Sequence, residues 1–200
     1  MITLVSFLLA ACSHVPIATM VKLRNFDLLK TDPGGLRIAV RYPDGIRIPE
    51  GGARMHLAVK AKSDGSMLLE ERVEFEEIAS KADKAELSAE LMNGTRISIF
   101  RIPERNTPFF KGFQKYIRDK SEAERDALEG TMSISVSACL ASGTVPDKVL
   151  VSTFLKSSEL GSFVPLLRDV DLAEVMSDGT GPEQPDLQPC KPESTQTEVN

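Results

Sequence analysis

The chain of 200 residues has no tryptophan, two tyrosines, two histidines and three cysteines. Each scarcity removes a class of function. Sugar and base recognition leans on aromatic stacking platforms, and Tyr42 and Tyr116 offer little to build one from. His14 lies near the start, which leaves His56 alone in the body of the chain. A Ser–His–Asp or Cys–His system would have to run through His56. No Cys-x-x-Cys spacing or histidine cluster marks a metal site. No glycine-rich phosphate loop of Walker or dinucleotide type occurs either. A basic surplus is also missing. The formal net charge is −5, and the tail supplies most of it, with Asp178, Glu183, Asp186, Glu193 and Glu198 against Lys191. Nucleic acid is therefore not an expected partner. The residues nominate no catalytic group, no metal ligand and no cofactor, so a non-enzymatic protein is expected.

Long apolar runs are scarce too. From Ile2 to Ala11 only Thr3 and Ser6 are polar. As a helix this run would cover roughly 15 Å, about half of a ~30 Å hydrocarbon core, so it is too short to span a membrane. It has the length of a signal-peptide apolar region and ends in small residues. The run closes on Leu9-Ala10-Ala11-Cys12, which resembles the lipobox of bacterial lipoproteins. It departs from the usual pattern of such signals in having no Lys or Arg ahead of the apolar run.

The resemblance implies cleavage of residues 1–11 and acylation of Cys12. The partner would be a membrane, reached through the acyl chains. Two or more chains anchor stably, at ~0.8 kcal/mol per buried methylene. Ser13 follows the cysteine. In that family an Asp at this place often retains the protein in the inner membrane, so the resemblance favours the outer membrane, facing the periplasm. The alternative for the stretch is a buried N-terminal strand with a core cysteine.

What remains divides into a linker over 12–20, a β-rich domain over 21–176 and a Pro- and acid-rich tail over 177–200. Hydrophobic residues at 42% and charged residues at 26% suit a globular core. Leu36, Ile38 and Val40 alternate with Arg37, Ala39 and Arg41 as in a half-buried strand, with 21–29 a candidate partner.

The segment from Ala53 to Ile78 reads as a hairpin. A three-residue loop of Asp64, Gly65 and Ser66 would set Lys60 opposite Glu70, His56 opposite Glu74 and Arg54 opposite Glu76. Leu57 would then meet Val73, and Met55 would meet Phe75. The carboxylates of this hairpin thereby read as charge partners rather than as a calcium site or an acid–base pair.

The segment 82–92 carries two signals. Leu87, Ala89 and Leu91 alternate as in a strand, whereas Ser80 and Gly94 could bound a helix. The strand is expected, with the helix as the alternative. RISIFRI, from 96 to 102, is a strand after the Asn93-Gly94 turn. Thr107-Pro108 opens a helix whose stripe is Phe109, Phe110, Phe113, Tyr116 and Ile117. Ser121 and Glu124 could cap a second helix or continue the first, with Gly130 as its stop.

Residues 132–140 alternate strictly, and 148–155 form a last strand. Met132, Ile134, Val136, Ala138 and Leu140 share one face, while Ser133, Ser135, Ser137 and Cys139 share the other. Residues 159–176 are apolar but irregular. With Cys12 acylated in an oxidising compartment, Cys139 and Cys190 are expected to pair, pinning the tail. Free thiols are the alternative.

The expected fold is mainly β: a single antiparallel sandwich-like domain with one inserted amphipathic helix. A second helix at about 80–92 would instead give an α+β fold. One interaction feature stands out. Arg96, Arg101, Arg105, Lys111, Lys115 and Arg118, joined by Lys120, face only Glu104 and Asp119 over 96–120. They are candidates for anionic lipid headgroups or an acidic envelope protein. The plainer reading is a helix with a core face and a solvated basic face. The expected function is a lipid-anchored cell-envelope protein acting through protein or envelope contacts. The alternative is a periplasm-facing binding module for a lipid or other apolar ligand.

Overall fold

The computed structural model describes residue 23 and residues 26–141, 148–172 and 187–191. Residues 1–11, Cys12, the linker and most of the tail lie outside the described residues. The architecture is mainly β. Among the described residues ten strands form three antiparallel sheets, accompanied by three α-helices. The strands are β1 (Arg37–Pro43), β2 (Ile46–Arg47), β3 (Ala53–Ala61), β4 (Met67–Glu74), β5 (Glu76–Glu77), β6 (Thr95–Arg101), β7 (Leu128–Val136), β8 (Cys139–Leu140), β9 (Leu150–Lys156) and β10 (Val164–Asp171). The helices are α1 (Lys81–Glu86), α2 (Thr107–Arg118) and α3 (Glu122–Asp126).

A five-stranded sheet has the order β10-β9-β1-β6-β5 and a three-stranded sheet the order β4-β3-β7; β2 and β8 make a small third sheet. Ile38, Val40 and Tyr42 of β1 meet Met55, Leu57 and Val59 of β3 in the main core, and Phe110, Phe113 and Ile117 of α2 close one end of it. The expected helix stripe is therefore the packed face, except that Tyr116 stays 48% exposed. Thr107 does not cap α2 through its side chain. A 3-10 turn over Glu104–Asn106 leads directly into the helix, with Pro108 in its first turn. Ser121 and Glu124 form a reciprocal capping box on α3. That helix ends at Ala127, and Gly130 lies within β7 rather than stopping it.

Four other expectations are corrected. First, β1 does not pair with 21–29. Its neighbours are β6 and β9, while Lys30 N–H bonds back to Asp27 C=O in a turn. Nor is β1 half-buried, because Ala39 on its other face packs with Leu87, Ile99 and Phe154.

Second, 82–92 is helical. Ser80 Oγ accepts from Asp83 N–H at the start of α1, and Ser88–Glu90 make a 3-10 turn. Only Leu87 of the alternating set is buried, whereas Leu91 is 55% exposed. The segment crosses the outer face of the sheet as a lid with one apolar anchor, so strand alternation had no second layer to serve.

Third, the hairpin register differs by two residues. Arg54 opposes Glu74 and Met55 opposes Val73. Ala61 N–H donates to Ser66 C=O and Gly65, at φ 72°, donates back to Ala61 C=O, so the loop is longer than three residues. A bulge between Val59 and Lys60 absorbs the remainder. A two-residue shift keeps every side chain on its expected face, so the apolar pattern could not reveal it.

Fourth, the strand expected over 132–140 breaks after Val136 and resumes as β8 on β2. The irregular stretch after 159 contains β10, whose two register irregularities hide its alternation.

A buried guanidinium ties the outer face together. Arg41 is 4% exposed. It donates to Glu90 C=O (2.7 Å), to Ser152 Oγ (2.8 Å) and to the Asp169 carboxylate. Asp169 sits at φ 49° between Leu167 and Val170, where β10 bulges. A left-handed conformation costs a non-glycine residue about 1 kcal/mol or more. The Arg41 contact and the Asp169 N–H bond to Ser152 Oγ (2.9 Å) hold it there. Beside this clasp, Arg168 grips Glu90 through two bonds of 2.7 and 2.8 Å. Further along, Lys156 bonds Asp83 (2.9 Å) and Glu86 (2.6 Å), joining α1 to β9.

Arg41→Ala leaves the Glu90 carbonyl without its side-chain donor and the Asp169 carboxylate without the guanidinium, and should cost about 3 kcal/mol in a denaturant titration. Asp83 is opposed by burial, yet its bonds to Lys156 and Ser80 and the nearby Arg37 hold its carboxyl below the ordinary 3.8. A depressed folded pKa means stability present above 3.8 and lost as pH falls below it. Thermal midpoints followed from neutral pH down to about pH 3 should fall more steeply for the wild type than for Asp83→Asn.

Candidate functional site

The fold places its covalent staple where sequence reasoning expected one. Cys139 lies on β8 opposite Arg47 and is disulfide-bonded to Cys190, with a Cα–Cα distance of 4.9 Å. Leu140 N–H donates to Gln188 C=O (2.9 Å), and Cys190 N–H donates to Leu140 C=O (2.8 Å). Residues 187–191 are thereby held against the domain, although Cys139 belongs to a separate short strand and not to the serine face of β7. The bridge spans 51 residues of sequence, which the chain-entropy model values at about 4 kcal/mol. Cys190→Ser, or reduction of the wild type, should lower unfolding stability by about that amount, read by denaturant midpoint.

His56 and the hairpin acids form surface pairs. His56 Nε2 lies 3.0 Å from Glu70 Oε1, which Arg72 also contacts at 3.0 Å. These two bonds, the His56 one first, hold the Glu70 carboxyl below its usual value. The expected partner, Glu74, instead faces Arg54 at 3.4 Å, as the two-residue register shift requires. Among the described residues no three His, Cys, Asp or Glu side chains come close enough to hold a metal ion. No helix among them is long and apolar enough to cross a membrane.

The basic residues singled out from the sequence do not form one patch. Arg101 is taken by Glu76 (3.1 Å) and Glu104 (3.3 Å). Lys111 reaches Asp32 at 3.8 Å, Lys115 binds Asp119, and Lys120 lies 4.0 Å from Glu124. Arg118 donates to the Leu29 carbonyl, fastening α2 to the turn before β1. Arg96 and Arg105 stand apart on a polar cleft of about 680 Å³ at the margin of β5 and β6, which Lys84, Glu50 and Glu77 also line. At the inner wall of that cleft Tyr42 shares a 2.7 Å hydrogen bond with Ser98, and burial pushes its phenol above the ordinary value. Contiguity in sequence had suggested one surface. The strand and helix carry its members to different sides.

Two other clefts are apolar. One, of about 340 Å³, lies between α2 and the β3–β7 pair and is walled by Leu29, Leu57, Phe113, Ile117 and Met132. The other, of about 250 Å³, opens between the two larger sheets, where Ile134 and Val136 of β7 face Val151, Leu167 and Val170. Sequence alternation assigned Met132, Ile134 and Val136 to the core. They do face inward, but they remain 38%, 37% and 40% exposed because nothing among the described residues covers them. Comparison with family models, with curated proteins and with solved structures finds no match to this chain.

Proposed function

We propose that the protein is a non-enzymatic, lipid-anchored component of the cell envelope, held through acyl chains on Cys12 and acting through protein or envelope contacts. The reading places it at the outer membrane, facing the periplasm. The Cys139–Cys190 disulfide carries this reading. Such bonds persist in oxidising compartments, and a lipobox-like cysteine behind an apolar leader directs a chain to one. The site chemistry is consistent with it, because His56 is committed to Glu70 on an exposed sheet face. Metabolic labelling with an alkyne fatty acid, followed by membrane fractionation, tests the anchor. Wild-type protein should carry label and sediment with membranes, and Cys12→Ser should lose both. An intact mass that retains residues 1–11 with no acyl addition would overturn it.

A second reading, a binding module for a lipid or other apolar ligand, is favoured by the 340 Å³ cleft under α2. That volume lies within the ~300–1,000 Å³ range of small-molecule sites. Displacement of a fluorescent fatty acid reads it directly. Met132→Glu puts a carboxylate on the cleft wall and should weaken binding by about tenfold or more. Equal affinity in the two proteins would remove this reading.

A further inference from the structure

Four strands end the two larger sheets: β5 and β10, and β4 and β7. Natural edges are blunted by brevity, charge, proline or bulges, because a free edge presents unpaired N–H and C=O groups. Three of these four comply. β5 has two residues. β10 contains Pro165 and two irregularities of register. β4 carries Glu70, Glu71, Arg72 and Glu74. β7 does none of this. It runs nine residues in unbroken register with β3, from Ala53↔Val136 to Ala61↔Leu128. It has no proline, its one charge is Glu129, and from Gly130 to Ala141 the chain carries no charge at all.

Two bonds orient its backbone. Ser137 N–H donates to Gly52 C=O (2.7 Å), and Lys62 N–H donates to Ala127 C=O (2.9 Å). Successive residues of an antiparallel strand turn their backbone groups to opposite edges. The odd-numbered residues of β7 therefore point at β3, and Gly130, Met132, Ile134 and Val136 point at the open edge. Ile134 and Val136 also line the 250 Å³ cleft, whose opposite wall includes Leu167, Val170 and Leu172. The larger sheet has five strands and the smaller three, and the floor of this cleft comes from β9 and β10, with Val151, Leu167 and Val170.

We propose that this vacant position accepts an added β-strand from a partner protein: an extended, uncharged segment with aliphatic side chains at alternate positions. Its backbone pairs with the four outward-pointing residues of β7, and its aliphatic side chains fill the cleft lined by β10. The proposal rests on the reading of a protein that acts through protein contacts, and names the kind of partner. An uncharged edge above an aliphatic floor selects against a charged strand, which would bury its charge unpaired. A second copy offering its own β7 would protect the same four amides in the free chain without any peptide, so the test below tells it apart. An acyl chain would fill the cleft and leave the edge unbound.

Amide hydrogen exchange by NMR on the full chain tests this. The probe is a short synthetic peptide alternating valine and threonine, with a lysine at each end. In the free chain Thr131, Ser133 and Ser135 should be protected and Gly130, Met132, Ile134 and Val136 should exchange rapidly. The peptide should slow the latter four by about tenfold or more. Ile134→Pro removes an outward N–H while sparing the bonds to β3, and should abolish the effect with Ser133 and Ser135 still protected. Ile134→Glu, which keeps the N–H and charges the cleft, should weaken it. Protection of those four amides in the free chain would overturn the proposal, as would a peptide that slows none of them while palmitate shifts the cleft methyl signals. Failure of acylation at Cys12 would change none of these exchange rates, so the two readings fail separately.

Discussion

Everything in this fold hangs on β1 being paired on both edges and buried on both faces. One edge takes β6, the other takes β9, and both partners lie far along the chain. Its inward side chains join the main core, while Ala39 joins Leu87, Ile99 and Phe154 behind the sheet. A strand so placed cannot form its contacts locally. It becomes stable only when 95–101 and 150–156 have been delivered to it, so the loop-closure entropy of the intervening chain is offset cooperatively or not at all. The turn at 27–30, fastened by Arg118, and the lid over 81–90, fastened by Lys156 and Arg168, then secure its surroundings.

The two faces of the five-stranded sheet are finished in different chemistries. Behind it, ion pairs and the buried Arg41 close the structure with few apolar residues, and the left-handed Asp169 is tolerated because Arg41 and Ser152 hold it. In front, aliphatic residues pack against β3 and α2, and the packing stops short at β7. Brevity at β5, proline and bulges at β10 and charge at β4 protect the other edges of the two larger sheets, while the β7 margin is aliphatic and hydrogen-bond competent. That asymmetry is why the open edge reads as a docking position and the polar cleft with Arg96 and Arg105 does not. The cleft's cations are interleaved with Glu50 and Glu77, so it presents no single sign of charge to a ligand.

Much of the architecture was legible in the residues. Alternation located β1 and β7, the strands read at 96–102 and 148–155 are β6 and β9, and helical spacing located α2. Capping chemistry located α3, and the tail cysteine pointed to Cys139. Failures fell where a local pattern had two physical solutions. Leu87, Ala89 and Leu91 alternate, but a cap at Ser80 and a single buried leucine satisfy a helix as well. The hairpin slid by two residues, a change invisible to face-by-face patterning. The bulges of β10 scrambled its period. The basic run over 96–120 is contiguous in sequence, but strand and helix direct its members to separate carboxylates, to the Leu29 carbonyl or to the polar cleft.

The sequence by itself determined which side chains of β1, β3 and β7 face the main core, that a β-rich body would form, and that a cysteine in a proline-rich tail would bond back to it. These follow from side-chain period and from the scarcity of alternatives, both local properties. Only the tertiary structure decided whether an inward residue is covered. Met132, Ile134 and Val136 have the pattern of core residues, yet burial depends on what the opposite layer supplies. Here a three-stranded sheet lies over a five-stranded one, and the strand that would cover them is not among those described.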